Sequence, residues 1–286
     1  LLALLPTAVR YSQEVRMYAL LGVWLIAATI ALVYWIKAPH SYRYPLIYTL
    51  LMAAAFYTHY FTAFCVIAHW LYLLLCGRAT RWLIKRPAWW LANVAIVLLF
   101  LPWLPGLVDL LQHMAELKSG GDVGWEPAVD ARSLPAMLWQ LLTQDEGDSL
   151  PWPLFWLPPL ALLGSMVWMA LRDATPHKFT SLIVIYTLLP ILAIYAVSFA
   201  SPLFIERYVM FAALGLPLLV AIAVDRLLTH KRALAIAILA LFIGTEAVGL
   251  RSNFSSDADH FDRLVEHVNQ QFKPGDRIVV SDRGLA

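Results

Sequence analysis

Long apolar runs separated by short polar segments make up most of the chain. A helix needs about 20 apolar residues, at a rise of about 1.5 Å each, to cross the hydrocarbon region of a bilayer. Six runs meet this length: residues 17–36, 88–107, 151–171, 179–200, 208–228 and 233–250. The pattern therefore predicts an all-α, polytopic membrane protein.

The run at 45–76 needs a separate interpretation because it is too long for one span. As a single helix its 32 residues would extend roughly 48 Å, against a hydrocarbon thickness of about 30 Å. The polar cluster Thr58-His59-Tyr60 divides the run, and we predict two shorter helices, 45–57 and 61–77, that turn at a membrane interface. The prediction is then about eight transmembrane helices, preceded by an N-terminal stub at residues 1–9.

The lysines and arginines are concentrated in alternate loops. These base-rich loops lie at 37–44, 78–87, 172–178 and 225–232. Together they contain eleven lysines and arginines but only two acids, Asp173 and Asp225. Base-rich loops stay on the cytoplasmic side of the membrane. The remaining polar segments therefore face outward: residues 10–16, 108–150, 201–207 and the tail from 251.

Two outward segments have secondary structure of their own. Ser133, followed by Pro135, is typical of a helix start, and the apolar residues across 133–143 predict a short helix in the outer membrane interface. In the tail, apolar residues at helical spacing over 261–272 and the strand-like segment Arg277–Ser281 predict the start of an α/β module.

The predicted organisation is a membrane domain followed by the beginning of a soluble one. Residues 1–250 form the transmembrane domain, which includes the extracytoplasmic loop 108–150, and residues 251–286 begin an extracytoplasmic domain. The chain starts at Leu1 inside an apolar stretch and stops just after the predicted strand. We therefore expect it to be a fragment of a longer protein.

Composition narrows the function classes. Hydrophobic residues make up 61% and charged residues 14% of the 286-residue chain, against about 45–50% and about 25% in soluble domains. This balance excludes a soluble enzyme, a disordered chain and a secreted disulfide scaffold. The net charge of +2 gives no indication of nucleic acid binding. Cys65 and Cys76 lie in apolar runs and are typical of small buried hydrophobic residues.

The first candidate site is the polar segment between the stub and the first span. Glu14 lies between Arg10 and Arg16, with Tyr11 and Gln13 beside them. A carboxylate there can bind a metal ion or accept a proton, and the arginines can bind a phosphate through paired hydrogen bonds. The alternative is an interfacial anchor without a chemical role, since arginine and tyrosine are common at membrane boundaries.

Two further polar clusters are assigned to the same face. Tyr57 and His59 interrupt a long apolar run, and His59 can hydrogen-bond a phosphate or sugar oxygen or act as an acid. The alternative there is an aromatic belt at a helix turn. Arg207 and Tyr208 follow Glu206 at the start of a span, where Arg207 can bind a lipid-linked phosphate or simply extend to the headgroups. Because all three clusters share one face and depth, together they can line one cavity.

Other polar residues have simpler explanations. Asp257 and Asp259 match the D-x-D pattern of nucleotide-sugar enzymes, but acids are also favoured in the first turn of a helix. Glu246 either faces the cavity or lies at the outer interface. His69 is predicted to hydrogen-bond across helices.

Four segments recur in this order in one known group of membrane enzymes. They are Tyr-Ser-Gln-Glu-x-Arg-Met-Tyr-Ala-Leu at 11–20, Tyr-Thr-His-Tyr-Phe at 57–61, Arg-Tyr before a proline-containing span at 207–217, and Lys-Pro-Gly-Asp at 273–276. On these segments the chain resembles the polyprenyl-phosphate-sugar-dependent glycosyltransferases of the GT-C superfamily. The nearest branch is the bacterial protein-mannosyltransferase-like and aminoarabinose-transferase-like membrane proteins.

The resemblance implies roles for the candidate residues. The family's main catalytic aspartate lies in a loop between the first two spans, upstream of residue 1. Glu14 matches the second acidic site residue, and it is the candidate ligand if a divalent metal is required. Arg16, His59 and Arg207 would lie near the donor phosphate. The full predicted donor-binding set is Arg10, Tyr11, Gln13, Arg16, Tyr57, His59, Arg207 and Tyr208.

The implied reaction transfers a sugar from a polyprenyl phosphate to a protein, lipid or glycan acceptor on the extracytoplasmic face of the bacterial inner membrane. Cationic groups would stabilise the phosphate leaving group, and a carboxylate would activate the acceptor hydroxyl. The main alternative is a transporter or lipid flippase, which predicts ionisable residues in mid-membrane and related halves with broken helices. A membrane scaffold without catalysis is a third class. Because charges are almost absent from the middle of the spans, we favour the transferase.

Overall fold

The computed structural model describes residues 1–14, 16–119 and 128–255, together with positions 265, 266, 268, 270 and 271. Within these residues the secondary structure is helical, with turns and irregular connections and no strand. The α-helices are α1 (Pro6–Gln13), α2 (Tyr18–Lys37), α3 (Arg43–Thr58), α4 (Thr62–Leu75), α5 (Arg78–Arg81), α6 (Pro87–Phe100), α7 (Leu104–Ser119), α8 (Ser133–Thr143), α9 (Trp152–Leu171), α10 (Phe179–Ser198), α11 (Glu206–Ala213), α12 (Gly215–Leu228) and α13 (Arg232–Ser255). Short 3-10 segments lie at Leu2–Leu4, Trp82–Lys85 and Leu101–Trp103.

Six helical segments are long and apolar enough to cross a membrane. They are Tyr18–Lys37, Pro87–His113, Trp152–Leu171, Phe179–Ser198, Glu206–Leu228 and Arg232–Arg251. The predicted all-α character is confirmed for the described residues, and the six candidate spans agree with a multi-pass membrane protein. The other two predicted spans correspond to α3 and α4, which at 16 and 14 residues are shorter than a full span.

The long apolar run at 45–76 divides at the predicted polar cluster. α3 ends at Thr58, His59 has extended backbone dihedrals (φ −161°, ψ 137°), and α4 begins at Thr62. The indole Nε1 of Trp103 donates a hydrogen bond to the Tyr60 hydroxyl at 2.9 Å. The break at His59 therefore lies at the same end of the bundle as the end of α6.

The polar connections gather at two ends of the bundle, because successive long helices run in opposite directions. We call the end of the bundle that contains the connections 1–14, 59–61, 128–151 and 199–205 the acidic end. The opposite end, which contains the connections 38–42, 76–86, 172–178 and 229–231, is the basic end. At the acidic end, Thr7 Oγ1 donates to the Leu141 carbonyl at 2.8 Å. At the basic end, the Tyr72 hydroxyl donates to the His177 carbonyl at 2.5 Å. These bonds join segments that are more than 100 residues apart in the sequence.

Aromatic side chains form the centre of the main core. The buried rings of Trp35, Tyr48 and Trp89 lie with centroids 5.7 to 6.0 Å apart. His69 of α4 is also buried, and its Nδ1 and Nε2 lie 3.1 Å from the Tyr48 hydroxyl and 3.0 Å from the Thr29 hydroxyl. The predicted hydrogen bonds of His69 across helices are confirmed.

A buried aspartate ties helices together at the basic end. Asp173 accepts hydrogen bonds from Thr175 and from the Thr180 amide, and its Oδ1 lies 3.6 Å from Arg226 Nη2. Burial alone would raise the pKa of this carboxyl, but the hydrogen bonds outweigh burial and hold the pKa below its ordinary value. Asp173 therefore acts as an anion that joins α12 to the connection between α9 and α10.

Two short helices at the acidic end position the candidate site. The predicted stub is a 3-10 turn followed by α1, which has Pro6 in its first turn and continues to Gln13. Arg10 is therefore helical, where the sequence predicted a loop. α8 confirms the helix predicted at 133–143, and its apolar residues are buried against α9, α11 and α13.

The predicted tail is only partly within the described residues. The strand Arg277–Ser281 and the pair Asp257 and Asp259 lie outside them. Of the helix predicted at 261–272, the five described positions are helical.

Candidate functional site

The first predicted cluster forms a chain of ion pairs at the end of α1. Arg10 Nε lies 3.7 Å from Glu14 Oε1, and Arg16 Nε lies 3.9 Å from Glu14 Oε2. Arg10 and Glu14 face each other because they are four residues apart on one helical surface. All three side chains are partly exposed, so water weakens these pairs and a ligand can replace them.

The buried partner of this cluster is Glu206, the first residue of α11. Its Oε1 accepts a hydrogen bond from Gln144 Nε2 at 2.6 Å, and it lies 3.0 Å from Thr7 Oγ1, whose single proton it shares with the Leu141 carbonyl. Its Oε2 accepts a hydrogen bond from Arg10 Nη1 at 3.4 Å. Only 5% of the Glu206 side chain is exposed. Arg10 thus joins two carboxylates, Glu14 near the surface and Glu206 inside the fold.

Thr7 and Gln144 are functional candidates that the sequence did not predict, and Glu206 entered the prediction only as the residue before Arg207, without a role. Glu206 has a weak signal, since it is an acid directly before a long apolar run. Thr7 and Gln144 have none, because they lie 137 residues apart in the sequence and meet only in the fold. Gln144 ends α8 in a left-handed conformation (φ 60°, ψ 23°), beyond which the chain can turn away.

The second and third predicted clusters meet beside this network. The His59 ring centroid lies 5.6 Å from that of Tyr208 and 5.8 Å from that of Tyr18. Tyr18 in turn lies 5.7 Å from Tyr11, centroid to centroid. We call these four residues the aromatic wall. It brings the three sequence-distant segments into contact at the acidic end.

His59 is a neutral hydrogen-bonding group in this wall. Its Nδ1 accepts the Phe61 amide at 3.2 Å, so the neutral ring carries its proton on Nε2. Burial lowers the pKa of the imidazole below its ordinary value, because the charged ring would lose hydration. At neutral pH His59 is therefore suited to donate a hydrogen bond to a phosphate or sugar oxygen, and less suited to act as an acid.

Tyr11 connects the wall to the charged network. It is 5% exposed, and burial, followed by the nearby Glu206 carboxylate, raises the pKa of its phenol above the ordinary value. The charges of Arg10, Glu14 and Arg207 also act on its hydroxyl. Tyr11 thus stays protonated at neutral pH and lies within electrostatic range of both predicted clusters.

Tyr57 and Gln13 lie differently from the other predicted residues. The Tyr57 hydroxyl donates to the Leu99 carbonyl at 2.7 Å, and its ring lies 5.7 Å from Phe100, so it packs against α6 and not against the aromatic wall. Gln13 is exposed as the last residue of α1.

A cavity of about 550 Å³ opens at the acidic end beside these residues. Arg10, Tyr11, Glu206 and Arg207 line one side, and residues between 128 and 148 line the other. The first and third predicted clusters thus contribute to the described lining, whereas the second, at 57–60, does not. Its volume is within the range of roughly 300–1,000 Å³ that is common for small-molecule sites. The Arg207 guanidinium carbon lies 5.5 Å from the Tyr208 ring centroid, which places a cation between the cavity and the aromatic wall.

The acids on the far side of the cavity have mainly structural contacts. Asp130 accepts hydrogen bonds from Ser133 and from the Arg132 amide at the start of α8, and the Ser133 hydroxyl lowers the pKa of this carboxyl. Asp148 lies 3.3 Å from Arg132 Nη2. Glu146 is exposed and lines the cavity.

Among the described residues, no three histidine, cysteine or acidic side chains are grouped so that they could hold a metal ion. Glu14 is flanked by two arginines, which do not fit a metal site of its own. A metal at Glu14 stays a prediction from the resemblance.

Glu246 belongs to α13 and is fully buried, so it does not lie exposed at the interface. It is absent from the described lining of the cavity. No hydrogen-bond partner for its carboxyl oxygens is present among the described residues.

Comparison with known proteins gives no match, whether with family models, with curated proteins or with solved structures.

Proposed function

We propose that this chain is the membrane domain of a GT-C-type glycosyltransferase that transfers a sugar from a polyprenyl phosphate to an extracytoplasmic acceptor. The observation that carries the proposal is the meeting of three sequence-distant polar segments at one end of an apolar helical bundle, where residues of two of them line a cavity. The polyprenyl tail keeps such a donor in the bilayer. An active site for it has to lie where apolar helices meet the headgroup region.

Within this proposal, Arg207 is the main contact of the donor phosphate. It lines the cavity and stacks against Tyr208, which orients its planar set of donors. Arg10 also lines the cavity, and its contacts with Glu14, Gln144 and Glu206 hold these three side chains together. We therefore assign Arg10 to positioning the network, and Arg16 and His59 to supporting phosphate contacts.

The proposed reaction is a displacement at the anomeric carbon. The acceptor oxygen forms the new bond, its proton passes to a carboxylate, and the bond to the phosphate oxygen breaks with the electron pair leaving on the polyprenyl phosphate. Guanidinium groups near that oxygen stabilise the developing charge. Glu14 is the acid that orients the acceptor. The resemblance assigns the proton-accepting aspartate to a loop that precedes residue 1.

The proposal includes a finer architecture for the membrane domain. α3 and α4 are the second and third crossings, joined by the turn at His59, and with the six longer spans they make eight in all. The acidic end faces outward from the bacterial inner membrane, and an α/β module follows residue 251 on that side. The sugar donor and a protein, lipid or glycan acceptor meet at this outer face.

The test uses the full-length protein in proteoliposomes with a labelled polyprenyl-phosphate sugar. We expect Glu14→Gln and Arg207→Ala to lower the initial rate of transfer about tenfold or more, because each removes a charged contact worth about 1.5–3 kcal/mol. Arg78→Ala, an exposed arginine at the basic end, is the matched control and should leave the rate unchanged.

Unchanged transfer in both site variants would remove these residues from the mechanism. Movement of the lipid-linked sugar across the bilayer without a glycosyl product would instead identify a transporter or lipid flippase.

A further inference from the structure

A second cleft lies between α3 and α6 at the basic end, which is the opposite end of the bundle from the aromatic wall. Its volume is about 560 Å³. His40, Ser41 and Arg86 form a polar mouth, whereas the walls that extend along the helices are apolar and include Leu46 and Leu91. The cleft thus changes from polar to apolar along its length.

The apolar walls face away from the protein core. Leu46 is 60% exposed and Leu91 is 68% exposed, although both belong to helices of the membrane bundle. The span Pro87–His113 contains α6, and only 6% of its 18-residue apolar stretch is buried inside the protein. Apolar side chains with this exposure need a hydrocarbon neighbour, and in a bilayer that neighbour is an acyl chain.

The mouth of the cleft has the features of a membrane–water boundary. The Arg86 guanidinium carbon lies 5.1 Å from the Trp82 ring centroid, and the exposed Trp90 donates its indole N–H to the Ile84 carbonyl at 2.9 Å. Tryptophan rings with bonded N–H groups are typical of the headgroup level. Arg86 therefore lies where a lipid phosphate would be.

The charge around the mouth favours an anion. The four base-rich loops contain eleven lysines and arginines and two acids, Asp173 and Asp225. Neither acid lines this cleft, and Asp173 is paired with Arg226. Within the described part of the chain, no carboxylate lies within ion-pair distance of Arg86.

We propose that this cleft binds an anionic glycerophospholipid from the leaflet at the basic end. Arg86 contacts the phosphate, His40 and Ser41 contact the polar headgroup, and one acyl chain lies along Leu46 and Leu91. This lipid site is independent of the glycosyltransferase proposal, because it shares no residue with the cavity at the acidic end.

The test titrates the purified full-length protein in detergent with phosphatidylglycerol or phosphatidylcholine and counts bound lipids by native mass spectrometry. We expect the wild-type protein to bind phosphatidylglycerol about fivefold more tightly than phosphatidylcholine, as one nearby arginine contributes on the order of 1 kcal/mol. Arg86→Gln should remove most of this preference. Arg78→Gln, at the same end but outside the cleft, should retain it.

A second variant tests the apolar part of the cleft. Ala95→Phe fills the wall beside Leu91 and should weaken the binding of both lipids about equally while leaving the charge at the mouth unchanged. Thermal unfolding of each variant checks its folding, and if Arg86→Gln unfolds, Ala95→Phe still decides whether a lipid occupies the cleft.

Two outcomes would overturn the lipid site. Equal losses in Arg86→Gln and Arg78→Gln would mean that diffuse surface charge attracts the lipid. Competition by soluble glycerol phosphate at the same concentration as phosphatidylglycerol would mean that the mouth binds a free phosphate without the acyl chain.

Discussion

At the acidic end, Glu206 organises the charged network, because Thr7, Gln144 and Arg10 all donate hydrogen bonds to its buried carboxylate. Glu206→Ala leaves these donors without their shared acceptor. We expect it to lower the free energy of unfolding by about 1.5–3 kcal/mol, the usual contribution of hydrogen bonds to a charged group. Chemical unfolding in detergent measures this change.

A matched acid at the other end provides the control for Glu206. Asp225 is exposed, and Asp225→Asn should change the stability by less than about 0.5 kcal/mol. Equal stability of Glu206→Ala and the wild-type protein would show that the network contributes nothing to the fold. We also expect Glu206→Ala to slow sugar transfer, since Arg10 loses the contact that orients it.

We expect the stability of the protein to depend on pH through His59, which is buried among Tyr18, Phe61 and Tyr208. Because the pKa is lowered in the folded state, the unfolded chain takes up the proton first as the pH falls below about 6.5. The stability is therefore complete above this pH and decreases as the pH falls toward the lowered pKa. Measured from pH 7 to 5, the unfolding temperature of His59→Gln should fall less than that of the wild-type protein.

Arg78→Ala, which removes no group that titrates between pH 7 and 5, provides the comparison for this pH series. It should unfold with the pH dependence of the wild-type protein. If His59→Gln loses stability with falling pH as steeply as the wild-type protein does, His59 is not the buried neutral group that the structure places in the wall.

At the level of elements, α13 packs closely beneath α1 and α8 because Gly249 has no side chain. A Cβ atom at this position would lie 2.5 Å from Pro6 Cγ and 2.9 Å from the Leu142 carbonyl oxygen. Gly249→Ala should therefore separate these helices and lower the stability by about 1–3 kcal/mol, as overpacking does in other cores. The unfolding temperature and the transfer rate measure the effect.

The same helix contains its own control in Gly244. A Cβ atom there would have no neighbour within 4 Å, so Gly244→Ala meets no obstacle. It should be neutral or stabilise the protein by up to about 1 kcal/mol, because alanine favours helices more than glycine does. A similar loss in both variants would assign the effect to the backbone of α13 and not to its packing.

His69 joins three helices through one neutral ring. Thr29 donates its own hydroxyl to the Leu25 carbonyl, so His69 Nε2 donates to Thr29 and the Tyr48 hydroxyl donates to Nδ1. We expect His69→Leu to cost about 1–3 kcal/mol, because the buried Tyr48 hydroxyl loses its acceptor. Adding Tyr48→Phe should recover part of this loss, as measured by unfolding of the single and double variants.

A threonine that bonds within its own helix is the control for this network. Thr49 donates to the Pro45 carbonyl four residues earlier, so Thr49→Val removes no contact between helices and should be nearly neutral. A double variant as unstable as the sum of its single variants would contradict the coupling of Tyr48 and His69.

The features that the bilayer imposes are the ones that the sequence predicts well. Helix lengths and the break at His59 follow from the hydrocarbon thickness and from the apolar pattern. The network of Thr7, Gln144 and Glu206 does not follow, because no local pattern relates residues so far apart. The contact of Tyr57 with the Leu99 carbonyl of α6 is likewise not readable from the sequence, and the role of Tyr57 in donor binding stays a prediction.

At the scale of the whole molecule, the two ends differ in charge, and this difference predicts how the protein lies in the membrane. The base-rich loops converge at one end, and the candidate cavity opens at the other. Since base-rich loops remain cytoplasmic, the cavity should open to the outside. Cysteine labelling of intact cells with a membrane-impermeant maleimide tests this arrangement, because the native Cys65 and Cys76 are buried.

We expect Glu146→Cys, in the lining of the cavity, to react in intact cells, and Arg78→Cys, at the basic end, to react only after the membrane is permeabilised. The wild-type protein measures the background from its two cysteines. The opposite pattern would place the cavity on the cytoplasmic side. A donor presented at the outer face would then be unable to reach Arg207, and the proposed transfer reaction would have to be abandoned together with the orientation.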